Sequence, residues 1–192
     1  VEADESNDNA RKIDAAMQLY IDLLDAEDQG FGTPREQFDK WMDAEGYEPL
    51  SEEQRQLYHL SQNLPEPMRV LAHDIIKANR KTGEEAVNEG VLEAARNNYS
   101  ARLWLDPIPT AWGVIKHYTG KLRVAKFGTT TKRARHRSLE SQLHGWALGK
   151  TLRVKGATAA SVEARSEIAR VIADRHLIEQ GKELGLISDI QT

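Results

Sequence analysis

The spacing of apolar residues predicts a series of amphipathic helices in the first half of the chain. Between residues 8 and 28, apolar side chains recur every three or four positions, which is the period of one helix face. The residues of that face are Ile13, Met17, Tyr20, Ile21 and Leu24. The first ten residues of the chain (VEADESNDNA) are acidic and polar, so we expect a frayed arm at its start.

Two short motifs predict where the next helices begin. Residues 33–36 (TPRE) have the pattern of a capping box with proline at the first helical position, and residues 51–54 (SEEQ) predict a start by the same logic. The predicted buried face of the second helix consists of Phe38, Trp41 and Met42. Gly46 is the predicted left-handed residue after it.

Prolines and glycines divide the rest of the first half. Pro65 and Pro67 precede a predicted fourth helix that ends at Gly83, and a fifth helix is predicted over residues 84–97. The residues predicted to face inward are Val70, Leu71, Ile75 and Ile76 in the fourth helix and Val87, Val91, Leu92 and Ala95 in the fifth.

The helical pattern lapses at residue 97. Residues 97–109 contain two prolines and no sustained period, which predicts an irregular linker, and a short helix is predicted over residues 110–118. Residues 121–127 (KLRVAKF) alternate basic and apolar side chains, as a short strand does. They resemble residues 151–155 (TLRVK), so the two segments either pair as a ribbon or are similar by chance.

Two further helices are predicted near the end of the chain. Ser138 is the predicted cap of a helix that carries Leu139, Leu143 and Trp146 and stops at Gly149. Ser161 begins a long helix that ends near Gly181, with an apolar face formed by Ala164, Ile168, Val171, Ile172, Leu177 and Ile178. The predicted fold class is therefore mainly α, an irregular arrangement of seven or eight helices with at most one small two-stranded β element.

Charge divides the chain into two unlike halves. The net charge of the 192 residues is -4, but residues 1–100 hold 10 basic and 22 acidic side chains, and the remaining residues hold 16 and 8. We therefore predict an acidic helical subdomain over residues 1–98 and a basic helical subdomain over residues 99–192. Such asymmetry points to a nucleic acid, a charged partner, or docking of one half on the other.

Composition narrows the class of protein. The sequence has no cysteine, which excludes disulfides, thiol nucleophiles and cysteine-based metal sites, and it has no apolar run long enough to predict a membrane span. The chain begins at Val1 without a methionine, so we expect a piece of a longer protein. The absence of cysteine fits an intracellular or virion setting.

No catalytic signature is present. The six histidines are scattered over different predicted elements without metal-ligand spacing, and residues 30–32 (GFG) lack the rest of a phosphate-binding loop. The acidic pairs at residues 52–53 and 84–85 lie at predicted helix starts, where the helix dipole favours negative charge. We therefore predict no catalytic residue, no cofactor and no metal site.

The strongest local feature is the basic run KRARHR at residues 132–137. It holds four permanent cations within six residues, and two more cations lie just upstream. The six candidate binding residues are Arg123, Lys126, Lys132, Arg133, Arg135 and Arg137. Their charge suits several DNA phosphates, an acidic protein surface in the same or another chain, or simply a solvated loop.

The second half resembles a segment of very long bacteriophage proteins. The resemblance rests on residues 97–104 (NNYSARLW), a stretch ending in Phe127, residues 132–149 (KRARHRSLESQLHGWALG) and residues 173–187 (ADRHLIEQGKELGLI). Large polyvalent proteins and internal or ejected virion proteins have a similar succession of motifs. That pattern often has Pro-His where this chain has Ala101 and Arg102.

The resemblance implies a helical domain of a large phage protein without implying a reaction. We expect a non-enzymatic structural or interaction domain of an internal or ejection protein, acting in particle assembly or genome delivery. The setting that the resemblance implies is a phage virion or the host cytoplasm. Its expected partners are portal, core or ejection components, further copies of itself, or DNA. The alternatives are a sequence-independent nucleic-acid-binding module and an accessory domain of a virion enzyme such as a peptidoglycan hydrolase.

Overall fold

The computed structural model describes residues 2–92, 100, 102, 104 and 139–186. Within them the chain forms six helices: α1 Glu2–Asp28, α2 Pro34–Met42, α3 Glu52–Gln62, α4 Glu66–Asn88, α5 Gln142–Ala147 and α6 Ala157–Glu183. The mainly α fold class is confirmed. The described residues contain no strand, and Leu152 instead forms an isolated antiparallel bridge with Trp104. The proposed partner strand, residues 121–127, lies outside the described residues.

Helix α1 is the centre of the fold. The other five helices all pack against it. As a result Ala16, Leu19, Leu23 and Ala26 are completely buried, and the middle of the helix is enclosed on nearly every side. The predicted helix over residues 8–28 is confirmed, and it extends toward the N-terminus into the acidic arm.

Two apolar clusters line α1, and both contain side chains from the two halves of the chain. One joins Leu19 and Leu23 to Phe38 and Trp41 of α2 and to Leu143 of α5. The other cluster consists of Ala16, Met17, Ile21, Leu64, Ala72, Ile76 and Ala157. The boundary between residues 98 and 99 stays a prediction, but the described parts of both halves share these clusters.

Both predicted capping boxes are confirmed. Thr33 Oγ1 accepts a hydrogen bond from the Glu36 amide, and the Glu36 carboxylate accepts one from the Thr33 amide at 2.7 Å. Because the Thr33 amide and hydroxyl both donate to it, the pKa of the Glu36 carboxyl is lowered. Ser51 and Gln54 make the same reciprocal contacts at the start of α3.

The predicted division at Gly83 is wrong. Helix α4 continues through this glycine to Asn88. Val70 and Leu71, predicted to face inward, are 52% and 41% exposed. The buried face of α4 instead follows a spacing of four and three through Ala72, Ile76, Asn79, Gly83 and Ala86. Of these residues only Ile76 was predicted to face inward, and the others are small or polar. Val70 and Leu71 lie off that face, which explains the error. Residues 93–97, the end of the predicted fifth helix, lie outside the described residues.

The predicted starts of the last two helices are also wrong. The cap of α5 is Ser141 rather than Ser138, and Leu139 precedes the helix. Helix α6 begins at Ala157 after Gly156, so Ser161 lies inside it. The positive φ of Gly149, 68°, confirms the predicted end of α5.

The far end of α6 departs from its predicted face. Leu177 is 65% exposed rather than buried, and the helix ends at Glu183, two residues past Gly181. The predicted helix over residues 110–118 and most of the predicted linker lie outside the described residues. Among the helices that are described, none combines the length and apolar character needed to cross a bilayer.

Candidate functional site

Four polar side chains form a stripe along one face of α1. They follow a spacing of four, four and three residues, which keeps them on one side of a helix. We call these residues, Asp14, Gln18, Asp22 and Asp25, the polar stripe. Gln18, Asp22 and Asp25 are 3%, 0% and 1% exposed, so their polar atoms need partners inside the protein. One partner is close in sequence, because Gln29 Nε2 donates to Asp25 Oδ1 at 3.0 Å, and the other partners described below lie beyond residue 98.

Asp14 and Gln18 hold the start of α6. The Gly156 amide donates to Gln18 Oε1 at 2.7 Å, and the Thr158 amide donates to Asp14 Oδ1 at 3.2 Å. The first amides of a helix have no partner within it, so these contacts act as a cap supplied by another helix. A Cβ at residue 156 would lie 2.2 Å from Asp14 Oδ2, and its φ is 114°. Any other residue at this position would have both an unfavourable backbone conformation and a Cβ that overlaps Asp14.

Asp22 binds two segments that are distant in sequence. Its Oδ1 accepts a hydrogen bond from Arg102 Nε, and its Oδ2 accepts one from the Gln142 amide at 2.6 Å. Arg102 also donates from Nη1 to the Leu139 carbonyl at 2.6 Å and from Nη2 to the Glu140 carbonyl at 2.9 Å. The side chains of this ion pair are 0% and 3% exposed. Burial of the two charges is compensated by this set of hydrogen bonds.

Residues 100, 102 and 104 each contact α1 or α5. The Ser100 amide donates to Asp25 Oδ2 at 3.3 Å. Trp104 lies against α5, where a Cβ on Gly145 would be 2.1 Å from the indole ring. We call residues 100, 102, 104 and 139–142 the neck.

The neck contains part of the motif on which the phage resemblance rests. Arg102 stands where the phage pattern often has histidine. In this chain the Arg102 side chain is buried and forms an ion pair with Asp22. The buried carboxylates Asp22 and Asp25 likewise hold backbone groups of the second half in place.

An aromatic cluster joins the neck to α2. The His144 ring stacks on Trp41 with the ring centres 4.1 Å apart and the planes 7° from parallel. Its Nδ1 accepts from the Glu140 amide at 3.3 Å, which requires the neutral ring. Burial lowers the pKa of His144, with Lys40 and Arg102 adding to the effect and Glu140 opposing it. Lys40 lies 4.7 Å above the Trp41 ring and pairs with Glu140 at 2.6 Å.

The end of α1, α2 and the start of α3 carry a strongly acidic surface. Residues 27–53 contain nine carboxylates and two cations, and all nine carboxylates are exposed. We call these carboxylates the acidic surface: Glu27, Asp28, Glu36, Asp39, Asp43, Glu45, Glu48, Glu52 and Glu53. Both cations already have partners, because Arg35 pairs with Asp39 and Lys40 pairs with Glu140. Phe31 and Tyr47, 38% and 40% exposed, add apolar area to the same stretch.

The six cations predicted as a binding group lie outside the described residues. These are Arg123, Lys126, Lys132, Arg133, Arg135 and Arg137. Their role stays a prediction. The polar stripe was missed, although its helical spacing is present in the sequence. That signal was hidden because isolated Asp and Gln residues on a helix usually face water.

Neither a search for metal ligands nor comparisons with known proteins assign a role to the described residues. In the described ranges, His, Asp and Glu side chains form no group of three that could hold a metal ion. Comparisons with family models, curated proteins and solved structures found no match. The resemblance to phage proteins stays an expectation from the sequence.

Proposed function

We propose that this chain is a non-enzymatic interaction domain of a phage virion-associated protein, acting in particle assembly or genome delivery. The observation that carries the interaction role is the acidic surface, with nine exposed carboxylates and the exposed rings of Phe31 and Tyr47. The motif order in the second half supports the phage setting. Portal, core or ejection components and further copies of this chain are the proposed partners.

The acidic surface suits a basic protein partner. Arg35 and Arg55 pair with two of its carboxylates, Asp39 and Asp43, and Lys40 pairs with Glu140, so most of the nine carboxylates remain in excess. Complementary charge raises the rate of encounter with a basic partner and selects against acidic ones. Exposed aromatic side chains add contact area at low entropic cost, and they pack well against the stems of lysine and arginine.

The basic segment supplies the opposite charge. Residues 121–137 hold seven cations and no carboxylate. In the proposed function this segment contacts DNA phosphates or an acidic ring of a neighbouring virion protein. The candidate residues act as a group, with no single dominant cation.

The test is charge reversal in the phage that encodes the chain. One variant carries Glu27→Lys, Glu45→Lys and Glu53→Lys, and a second reverses Lys132, Arg133, Arg135 and Arg137 to Glu. We expect infectious particles to fall about tenfold or more in each, since tenfold corresponds to only about 1.4 kcal/mol of binding. Reversal of the exposed Glu66, Glu85 and Glu183 is the control for the first. Unchanged assembly and unchanged DNA retention in both variants would contradict the proposal.

The second candidate is a sequence-independent nucleic-acid-binding module. The uniform positive charge of residues 121–137 favours it. Six phosphate contacts would make the logarithm of the binding constant fall with the logarithm of salt concentration at a slope of about -5. Fluorescence anisotropy with a labelled duplex between 50 and 200 mM salt measures this slope.

Neutral variants locate the DNA contacts. Changing Lys132, Arg133, Arg135 and Arg137 to Gln leaves two of the six cations, so the slope should fall to about -2. The matched control removes four exposed cations elsewhere, Lys77, Lys81, Arg165 and Arg170, and should leave the slope unchanged. Absence of binding at 50 mM salt, or a flat salt dependence, would exclude this second candidate.

A further inference from the structure

Asp22 receives hydrogen bonds from both sides of residues 105–138. Arg102 precedes that stretch and donates to Oδ1, while the Gln142 amide follows it and donates to Oδ2. A single buried carboxylate on α1 is therefore the common anchor of the chain before and after the stretch. Ser100 and Trp104 add contacts on the first side, to Asp25 and to α5.

Arg102 connects the two sides directly as well. Its guanidinium donates to the carbonyls of Leu139 and Glu140, 37 and 38 positions further along the chain. Backbone positions far apart in sequence are thus brought to within one arginine side chain of each other. The bonds leave from Nε, Nη1 and Nη2, which fixes the orientation of the planar group.

We propose that the Asp22–Arg102 pair ties the chain before residue 105 to the chain after residue 138, so that the described parts of both halves build one body. The body consists of the helices around α1, whose apolar clusters contain side chains from each half. On this view the described residues are not divided near residue 98.

The neck also contacts α2. Glu140 pairs with Lys40 on α2 at 2.6 Å, and the neighbouring His144 stacks on Trp41 of the same helix. Helix α2 carries part of the acidic surface. Residues 102 and 140 therefore both lie beside α2, because Arg102 donates to the Glu140 carbonyl. The role of the acidic surface rests on the proposed function, whereas the tie itself does not.

Amide hydrogen exchange tests the tie at named positions. Because Asp22 loses its charge in Asp22→Asn and Arg102 loses its donors in Arg102→Met, the Gln142 amide should exchange at least tenfold faster in either variant. Amides of α6 near Ile168 should change less. Arg102→Lys keeps the charge but lacks the planar fork, and it gives the same local readout if the other variants fail to fold.

The matched control removes a buried hydrogen bond away from the neck. Ser161 Oγ lies 2.6 Å from Asn79 Oδ1 between α6 and α4, so Ser161→Ala should speed exchange there and spare Gln142. Unchanged exchange at Gln142 in Arg102→Lys, or an equal rise at Gln142 and at the Ile168 region, would overturn the tie.

The two proposals can fail separately. Faster exchange at Gln142 in the Arg102 variants, together with no DNA or protein binding by the basic segment, leaves the tie standing and removes the proposed function. Binding by the basic segment with unchanged exchange at Gln142 does the reverse.

Discussion

Two of the junctions between the described parts of the two halves differ in kind. The neck is held by a buried ion pair and by side chains of α1 that bind backbone groups. The junction of α4 and α6 is held by apolar side chains, including Ala86, Ile168 and Val171, with one buried hydrogen bond from Ser161 to Asn79.

The two kinds of contact contribute differently, because one mainly stabilises the fold and the other mainly specifies the path of the chain. Apolar burial is roughly proportional to area and has little direction, so it stabilises the pairing of α4 and α6 without fixing every backbone group. Hydrogen bonds and ion pairs are directional, and a buried carboxylate with a missing donor is costly. The neck is therefore where the path of the chain is specified, and the apolar junction is where much of the stability lies.

The largest expected effect comes from a cavity in the apolar junction. Ile168 is 6% exposed and packs with Ala86, Val91 and Val171. Ile168→Ala should lower the free energy of unfolding by about 2–4 kcal/mol, because it loses both transfer free energy and packing contacts. Urea denaturation followed by circular dichroism measures the loss.

A surface valine on the same helix provides the control. Val162 is 57% exposed, so Val162→Ala should change the free energy of unfolding by no more than about 0.5 kcal/mol. If Ile168→Ala costs as little as the control, the apolar junction is not the source of stability that we assign to it.

An intermediate effect is expected where Trp104 meets α5. A methyl group on Gly145 would overlap the indole ring at 2.1 Å, so Gly145→Ala should cost about 1–3 kcal/mol as the ring is displaced. In a Trp104→Ala background the overlap is absent, and the added cost of Gly145→Ala should largely disappear. Additive costs in this double-mutant cycle would show that the two residues do not contact each other.

The smallest effect is a pH dependence that originates at His144. Burial lowers the pKa of this ring below its unfolded value of about 6.5, so the unfolded chain binds a proton more readily. The stabilisation from neutral His144 is fully present above about pH 6.5 and is lost as pH falls toward the lower folded pKa.

Replacement of the ring isolates this effect. His144→Phe keeps an aromatic ring against Trp41 but cannot be protonated. The difference in unfolding free energy between wild type and this variant should change between pH 7 and pH 5, with the wild type losing more. A difference that is independent of pH would remove His144 as the origin.

Local signals in the sequence predicted much of the fold, and contacts between distant residues account for the errors. The boxes at residues 33–36 and 51–54 were predictable because all of their donors and acceptors lie within four residues. Helix α6 begins before Ser161, where Asp14 and Gln18 of α1 bind the amides at its start. Helix α5 has a local cap, Ser141, in addition to the contact of the Gln142 amide with Asp22, so sequence reasoning chose the wrong one of two nearby serines.

The candidate site was predictable only in part. The charge asymmetry of the sequence indicated an acidic first half, and nine of its carboxylates form an exposed surface. The pairing of Asp22 with Arg102 was not predictable, because the two residues lie 80 positions apart in sequence and meet only in the folded chain. Charged residues of this kind usually face water, so sequence patterns alone favour the wrong side.

Cutting the chain between the two sides of the neck tests the central claim most directly. A protease recognition sequence inserted after Gly128 allows the folded protein to be cleaved there, followed by size-exclusion chromatography and urea denaturation. If both halves build one body, the two pieces will elute together and unfold in a single transition, because both apolar clusters and the neck remain intact. Separation of the two pieces, or two independent unfolding transitions, would contradict the account.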